Sequence, residues 1–362
     1  MPLVEHSSLP TFRELRREGQ AVLTLEDVRG QDARTLHVGL LNMMPDAAFQ
    51  VTEQQFMRLV GGSSQPAHFY IHCFTVPGLV RSAATQAYIG RHYEDIASLH
   101  ADGLDALIVT GANVANPRLD LEPFYQPLTE VIGWASEHVT SVLCSCLSTH
   151  ALMKFLHQVD RRPLPRKQWG VYSHRVAVPS HPLLRGTNTR FDVPHSRYNT
   201  ITREQFEEAG FTILVESAEA GVHMAVSDDQ FRRVYFQGHP EYDANSLLKE
   251  YKREVLRYFN GERDLPPFPE HYISDQAAAV IAQYLDTAHR AHEAGAPLPD
   301  FPEAEVAPFL DNTWTDTARA IFDKWLGLVY HLTNSDRRLP FREGIDPRRP
   351  LDSLTSHHDT RL

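Results

Sequence analysis

The sequence predicts an α/β fold: a mostly parallel sheet flanked by helices on both faces. Three observations lead there. Short apolar runs alternate with stretches whose apolar residues fall at helical spacing. Such alternation is the pattern of strands joined by crossover helices. Three groups of small or polar residues, Asn42 to Pro45, Gly111 to Asn113 and Cys146, each follow an apolar run directly. The carboxyl ends of parallel strands are where such sheets bind their ligands.

Taken in order, Thr11 to Glu18 is a short polar helix candidate, followed by a hydrophobic segment from Ala21 to Leu25. Leu36 to Leu41 reads as a buried strand ending at Asn42-Met43-Met44-Pro45. Val51 to Leu59 has helical spacing and opens on threonine and glutamate. Phe69 to Phe74 and Ala106 to Thr110 are the next strands, the latter running into Gly111-Ala112-Asn113. The helix candidate Leu128 to His138 leads to a fourth strand, Ser141 to Cys144, and then to a helical pattern from Leu147 to His157. Thr212 to Val215, Val222 to Val226 and Val234 to Gln237 are short strands joined by polar turns, ending at Gly238-His239-Pro240-Glu241. A long helix candidate covers Asn245 to Phe259. Glu262 to Pro302 is rich in proline, alanine and acid, with one helical piece from Gln276 to Ala294, and a last helix spans Thr315 to Leu332. The expected organisation is therefore an α/β core with its N-terminal extension at 1–262 and an insertion or hinge at 263–302. A C-terminal helix packing back on the core follows at 303–338, then a loosely ordered tail at 339–362.

Composition narrows the function. The chain has 362 residues, 42% hydrophobic and 22% charged, enough apolar material for a sizeable core. Its formal net charge of −11 argues against nucleic acid as a main partner. No run of apolar residues is long enough for a membrane span, and the N-terminus lacks the basic start and apolar stretch of a secretory signal. A cytoplasmic protein is expected. The basic run Arg161 to Lys167 reads first as a solvated loop and second as an anion site. Three cysteines, Cys73, Cys144 and Cys146, make no disulfide framework, and no C-x-x-C or H-E-x-x-H spacing supports zinc. No metal is expected, and a single reactive cysteine is the better reading.

Cys146 lies just past an apolar strand and just before a helical pattern. A nucleophile on that turn is exposed at the sheet edge and sits at a helix N-terminus. Amides there carry partial positive charge, which favours a thiolate and can hold an oxyanion. Taken alone, the cysteine could equally be a buried structural residue. His239 and Glu241 tip the balance. Proline between them restricts the backbone, so Glu241 can fix the imidazole tautomer while the other ring nitrogen faces the thiol. A cysteine elbow followed about 90 residues later by this triplet points to a Cys146–His239–Glu241 triad.

That order resembles the class I glutamine amidotransferase fold, which is flavodoxin-like in its layering. The wider sequence is similar to the homoserine O-acyltransferase (homoserine O-succinyltransferase) family built on it. The likeness rests on four stretches: Leu41-Asn42-Met43-Met44-Pro45, Asp105 to Ala112, Val193-Pro194-His195-Ser196-Arg197, and Gly238-His239-Pro240-Glu241-Tyr242-Asp243-Ala244. It covers roughly residues 1 to 262 and returns at Asn312 to Leu332. The resemblance implies that Cys146 carries the acyl group, that His239 is the base with Glu241 behind it, and that the Leu147 N–H serves the oxyanion. It also implies substrate contacts at Lys167, Ser196, Arg197 and Arg253, with Glu250 beside them. Arginine suits a carboxylate and glutamate an ammonium, and Glu250 and Arg253 are three apart on one helix face. Ala115 falls where the family separates acyl donors. Glycine there goes with succinyl-CoA and glutamate with acetyl-CoA, so a small residue implies succinyl. The sequence departs from the family at Leu147-Ser148-Thr149-His150, where tryptophan-glycine-alanine is usual, and at Asp46-Ala47-Ala48, where a lysine is usual. The first departure implies a reshaped pocket beside the thiol, the second a missing cation.

The expected activity is transfer of a succinyl group, or less readily an acetyl group, from acyl-CoA to L-homoserine in methionine biosynthesis. The expected enzyme is a homodimer that needs no cofactor beyond acyl-CoA as co-substrate. The alternatives are a glutamine amidotransferase-like hydrolase, acyl transfer to another hydroxy amino acid such as serine, and a catalytically silent binding protein.

Overall fold

The computed structural model describes residues 2–355. An N-terminal extension holds β1 (Leu3–Glu5), α1 (Thr11–Arg17), β2 (Val22–Thr24) and α2 (Leu25–Val28). The alternating region follows as β3 (Arg34–Met43), α3 (Asp46–Gly61), β4 (Ala67–Phe74), α4 (Ala83–His92) and α5 (Ile96–Asp102). It continues with β5 (Ala106–Ala112), α6 (Tyr125–His138), β6 (Ser141–Ser145) and α7 (Leu147–His157). Then come β7 (Arg162–Val176), β8 (Arg190–Thr200), α8 (Arg203–Glu208), β9 (Thr212–Ser217), β10 (Gly221–Val226) and β11 (Arg233–Phe236). Five helices finish the described chain: α9 (Ser246–Phe259), α10 (Asp275–Glu293), α11 (Glu303–Val306), α12 (Thr315–Leu332) and α13 (Asp352–Thr355).

The strands form one sheet in the order β2-β1-β4-β3-β5-β6-β11-β10-β9-β7-β8. From β2 to β11 neighbours run parallel, and from β11 to β8 they run antiparallel. The strand order reverses at β3 and β5, which makes their carboxyl ends the crevice where a ligand can sit.

Alternation along the strands divides the core between the two faces. Leu36, Val38 and Leu40 of β3, with Ala106 and Ile108 of β5, join one buried cluster that includes Phe12 of α1, Phe56 of α3 and Trp325 of α12. Leu41 and Met43, with Leu107 and Val109, join the other, beside Leu128 and Ile132 of α6 and Leu152 of α7. The sheet is thus covered on both faces, as the sequence predicts.

Several expectations change. Helices α4 and α5 are absent from the sequence reading because α4 buries no residue and α5 only Leu99, leaving no apolar stripe to detect. The basic run is not a free loop: from Arg162 it is strand, with Pro163 and Pro165 at the place where the β7–β8 register is interrupted. The segment 263–302, expected as an insertion or hinge, packs on α9 in a third cluster through Tyr272, Ile281, Tyr284 and Phe301. Apolar residues at helical spacing supply that face, despite the proline around it. Of the tail expected to be loose, Phe341, Ile345 and Leu351 lie against the first cluster, while residues 356–362 fall outside the described residues. No helix among the described residues is long and apolar enough to cross a membrane.

Candidate active site

Strand β6 ends at Ser145 and α7 opens at Leu147, so Cys146 alone makes the turn. Its φ of 56° and ψ of −111° are a conformation L-residues seldom adopt. Backbone strain of this kind costs on the order of 1–3 kcal/mol and persists only where surroundings enforce it. Here they do. The Cys146 N–H donates to Phe236 O (2.8 Å), Ser148 Oγ to Val109 O (2.8 Å), and Thr149 Oγ1 to Phe236 O (2.8 Å). His150 Nε2 bonds Gln237 Oε1 (3.0 Å), immediately before the Gly-His-Pro-Glu segment. Ser148, Thr149 and His150 are all buried. The residues at these positions, where the sequence departs from the family, stitch the first turn of α7 to β5 and to β11 and its end. Leu147 is buried in the second apolar cluster, and its amide is one of those a helix leaves free at its first turn.

His239 arrives from the end of β11. Its N–H donates to Pro194 O (2.8 Å), and its Nδ1 bonds Glu241 Oε1 (2.8 Å). With Nδ1 so occupied, Nε2 is the ring nitrogen left to face the Cys146 thiolate, whose charge acts on this ring. Burial favours loss of the His239 proton, yet the Cys146 thiolate and the Glu241 carboxylate outweigh it and hold the ring well above its ordinary pKa. The predicted triad is assembled in one place. Met44 at the end of β3 and Gly111 in β5 border it. A Cβ on Gly111 would lie 3.6 Å from both Cys146 Cβ and Met44 Sδ. The three strand ends singled out in the sequence do converge.

Behind the base, each residue of Pro194-His195-Ser196-Arg197 has a separate task. Pro194 receives the His239 amide. His195 packs on Gly238 so tightly that a Cβ there would sit 2.7 Å from its Nε2. Ser196 Oγ donates to Glu250 Oε2 (2.6 Å). Arg197 is buried, with Nε on His195 Nδ1 (3.3 Å), Nη1 on Asn199 O (2.9 Å) and Nη2 on Ala220 O (2.5 Å). These contacts make Arg197 an internal brace, not the open substrate contact expected of it.

The other expected contacts split. Glu250 accepts from Lys167 Nζ (3.1 Å), from Ser196 and from Tyr242 Oη (2.9 Å). Burial raises its pKa, but the Lys167 ammonium and the hydroxyl donors bring it below the ordinary value, so the carboxylate stays ionised. Tyr242 also stacks on His239, with ring centroids 4.3 Å apart, and so joins this group to the triad. Arg253, in contrast, is half exposed and bonds Glu254 (3.2 Å). One helix carries Glu250 and Arg253, but only Glu250 enters the polar group.

Two arginines outside the predicted set of site residues, Arg161 of the basic run and Arg81, lie nearby. Arg161 Nη2 donates to Asn116 O (3.1 Å) and Pro117 O (3.2 Å), while Glu122 accepts from the Ala115 N–H (2.7 Å). Together they frame the loop of Ala115. Burial depresses the Arg161 pKa, partly offset by Glu122 and the Cys146 thiolate. Arg81 lies 3.7 Å from Asp46 and donates to Met44 O, with Nε and Nη2 buried and unpartnered among the described residues. It returns a cation to the corner where the lysine is missing. The Arg81–Asp46 separation of 35 residues kept this pairing out of local patterns. The sequence offered no metal spacing either, yet His6, His72 and Glu94 converge within 4.8 Å at the other edge of the sheet.

Comparisons with known proteins show which family the chain resembles. The family model described as "Homoserine O-succinyltransferase" matches residues 2–335. A protein of that name from Methylococcus capsulatus is 57% identical over 352 residues, 97% of this chain and 99% of its own. Another, from Thioalkalivibrio nitratireducens, is 56% identical over 353 residues, with the same coverage. Among solved structures, a glutamine amidotransferase from Thermotoga maritima has a TM-score of 0.43 at 14% identity, covering 80% of this chain and 98% of its own. One from Methylobacillus flagellatus has a TM-score of 0.45 at 12% identity, covering 82% and 95%. On the family match and the identity along nearly its whole length, this chain belongs to the homoserine O-succinyltransferase family.

Proposed function

We propose that this chain transfers a succinyl group from succinyl-CoA to the hydroxyl of L-homoserine through an acyl-enzyme on Cys146, a step of methionine biosynthesis. The observation that carries the reading is a Cys146–His239–Glu241 triad on a strained elbow, in a chain 57% identical to a homoserine O-succinyltransferase over 97% of its length. The Cys146 thiolate attacks the thioester carbonyl, and the Leu147 amide stabilises the oxyanion. The C–S bond to CoA then breaks, and the departing CoA thiolate takes the His239 proton. Acylation removes the thiolate charge that held the imidazolium, so His239 becomes the neutral base the second half requires. It takes the proton of the homoserine hydroxyl, whose oxygen attacks the acyl-enzyme, and the O-acyl product leaves.

In this reading the homoserine ammonium meets Glu250, and its carboxylate meets Lys167 or Arg253. The small Ala115, on the loop framed by Arg161 and Glu122, admits the succinyl chain. No cofactor enters beyond acyl-CoA as co-substrate. The enzyme is proposed to act in the cytoplasm as a homodimer, which sedimentation equilibrium checks. The decisive assay is CoA release from succinyl-CoA and acetyl-CoA, with and without L-homoserine and L-serine. Release that depends on homoserine and runs faster with succinyl-CoA is expected; equal rates with and without any amino acid would remove the acceptor assignment. Labelling by radioactive succinyl-CoA should disappear in Cys146→Ala, and persistent labelling there would remove the acyl-enzyme.

A further inference from the structure

Far from the triad, His6 lies just past β1, His72 on β4 and Glu94 just before α5. His72 Nδ1 is 2.9 Å and 3.0 Å from the two Glu94 oxygens, and His6 Nε2 is 3.7 Å from Oε1. The hydrogen positions are fixed by groups that can act in only one way. His6 Nδ1 contacts Val4 O at 3.1 Å, and a carbonyl only accepts, so this nitrogen carries the hydrogen. In its neutral form the ring therefore aims a bare Nε2 at Glu94, and that atom is buried with no hydrogen-bond partner among the described residues. Arg337 Nη1 is 2.6 Å from His37 Nδ1, and a guanidinium only donates, so His37 Nδ1 is bare. Its 2.9 Å contact with His72 Nε2 then needs the hydrogen on His72 Nε2. A neutral His72 is left with a bare Nδ1 facing the carboxylate.

With both rings neutral, three electron-pair donors converge with no hydrogen among them. A proton on His72 Nδ1 would satisfy His72 and Glu94, but it would leave the buried His6 lone pair pointing at a carboxylate oxygen. One metal cation satisfies all three. Ligand atoms on a tetrahedral zinc stand about 3.4 Å apart, a value bracketed by the 2.9 Å and 3.7 Å contacts of His72 and His6 with Glu94, and all three ligand atoms lie within 4.8 Å of one another. Two imidazoles and a carboxylate suit zinc and its neighbours in the first transition row. Glu94 is one-third exposed, so water can complete the shell. We propose that His6, His72 and Glu94 bind a divalent transition-metal ion, with zinc as the fitting member. The ion fastens the N-terminal extension to the sheet, where β1 meets β4 through the single register pair Leu3–Phe69.

The test is zinc binding by calorimetry on untagged, full-length Cys146→Ser protein, in which the triad thiolate cannot take the metal. A single saturable equivalent is expected, weakened at least about tenfold in His6→Ala and in the near-isosteric Glu94→Gln. Cobalt in the same site should give visible ligand-field absorption that both variants lose. Circular dichroism establishes that each variant is folded. Absence of zinc binding, or binding that both folded variants retain unchanged, would overturn the site.

Discussion

The Cys146 thiolate helps set the protonation state of His239, and this coupling can be measured. The His239 pKa stands well above its ordinary value even though burial opposes it, with the Cys146 thiolate and then the Glu241 carboxylate as the raising causes. Replacing Cys146 by serine removes the thiolate and leaves burial against Glu241 alone. The His239 ring should then titrate at lower pH than in the parent protein, which NMR of the labelled imidazole nitrogens reads directly. An unchanged titration would mean that the thiol is protonated at rest, and the charge transfer during acylation would have to be drawn differently. A second prediction belongs to Tyr242, whose ring stacks on His239 and whose hydroxyl donates to Glu250. Tyr242→Phe keeps the stack and removes the donor. A hydrogen bond to a charged group is worth about 1.5–3 kcal/mol, so KM for homoserine should rise by roughly tenfold or more with kcat changed little. Steady-state kinetics with homoserine varied would show it, and a fall in kcat alone would place Tyr242 with the base instead of the acceptor. The triad was legible in the sequence because each member is announced locally, by an elbow or by a His-Pro-Glu triplet. The brace role of Arg197 was not, because it depends on the carbonyls of Asn199 and Ala220, and no pattern marks which carbonyls a side chain will meet.

At the scale of elements, the layer made by α9, α10 and the chain between them is tied to β7 by contacts that composition could not reveal. Glu270 N–H donates to Trp169 O (2.8 Å), Val171 N–H to Glu270 O (2.9 Å), and Tyr172 Oη to the Glu270 carboxylate (2.7 Å). The chain passes so close at Gly170 that a Cβ there would stand 2.7 Å from Glu270 N. A methyl group cannot be accommodated without parting the two backbones. Gly170→Ala should therefore destabilise the protein by about 1–3 kcal/mol, read as a lower midpoint in urea, and should open residues 263–302 to protease. Resistance equal to the parent would mean that the strap carries no load. Lys167 and Glu250 sit on the two elements this strap joins, so homoserine saturation should weaken in the same variant. The proline-rich composition of this segment suggested a hinge, while the apolar face of α10 was readable by its spacing. What sequence could not supply was the surface that face would meet. The same limit hid α4 and α5, which present too little buried surface to leave a period.

Across the whole molecule, the parallel half of the sheet is closed on one face by α12, which comes after every strand in the sequence. Ala318, Ile321, Phe322, Trp325, Leu326, Val329 and Leu332 of α12 enter the cluster containing β3, β4 and β5 side chains. Trp325 is fully buried and its Nε1 donates to Ser141 Oγ (2.9 Å), on the strand that delivers Cys146. Arg34, at the start of β3, donates to Tyr330 O (2.5 Å) and Thr333 O (2.6 Å) at the end of this helix. The fold of the N-terminal two-thirds is therefore incomplete without residues near the C-terminus, which is why the alternating pattern alone describes the sheet but not what covers it. Trp325→Ala should cost about 3–5 kcal/mol, in the range of large aromatic truncations in cores. Trp325→Phe, which keeps most of the apolar volume and loses the Ser141 bond, should cost less. Chemical denaturation followed by acyl-enzyme formation at each denaturant concentration would compare the two. If Trp325→Ala lowers the unfolding midpoint while labelling of Cys146 is lost at that same midpoint, α12 supports the elbow through β6 as part of one cooperative unit. Loss of labelling well before unfolding would instead mean that the elbow is the weaker part, and that its strain is released locally before the sheet gives way.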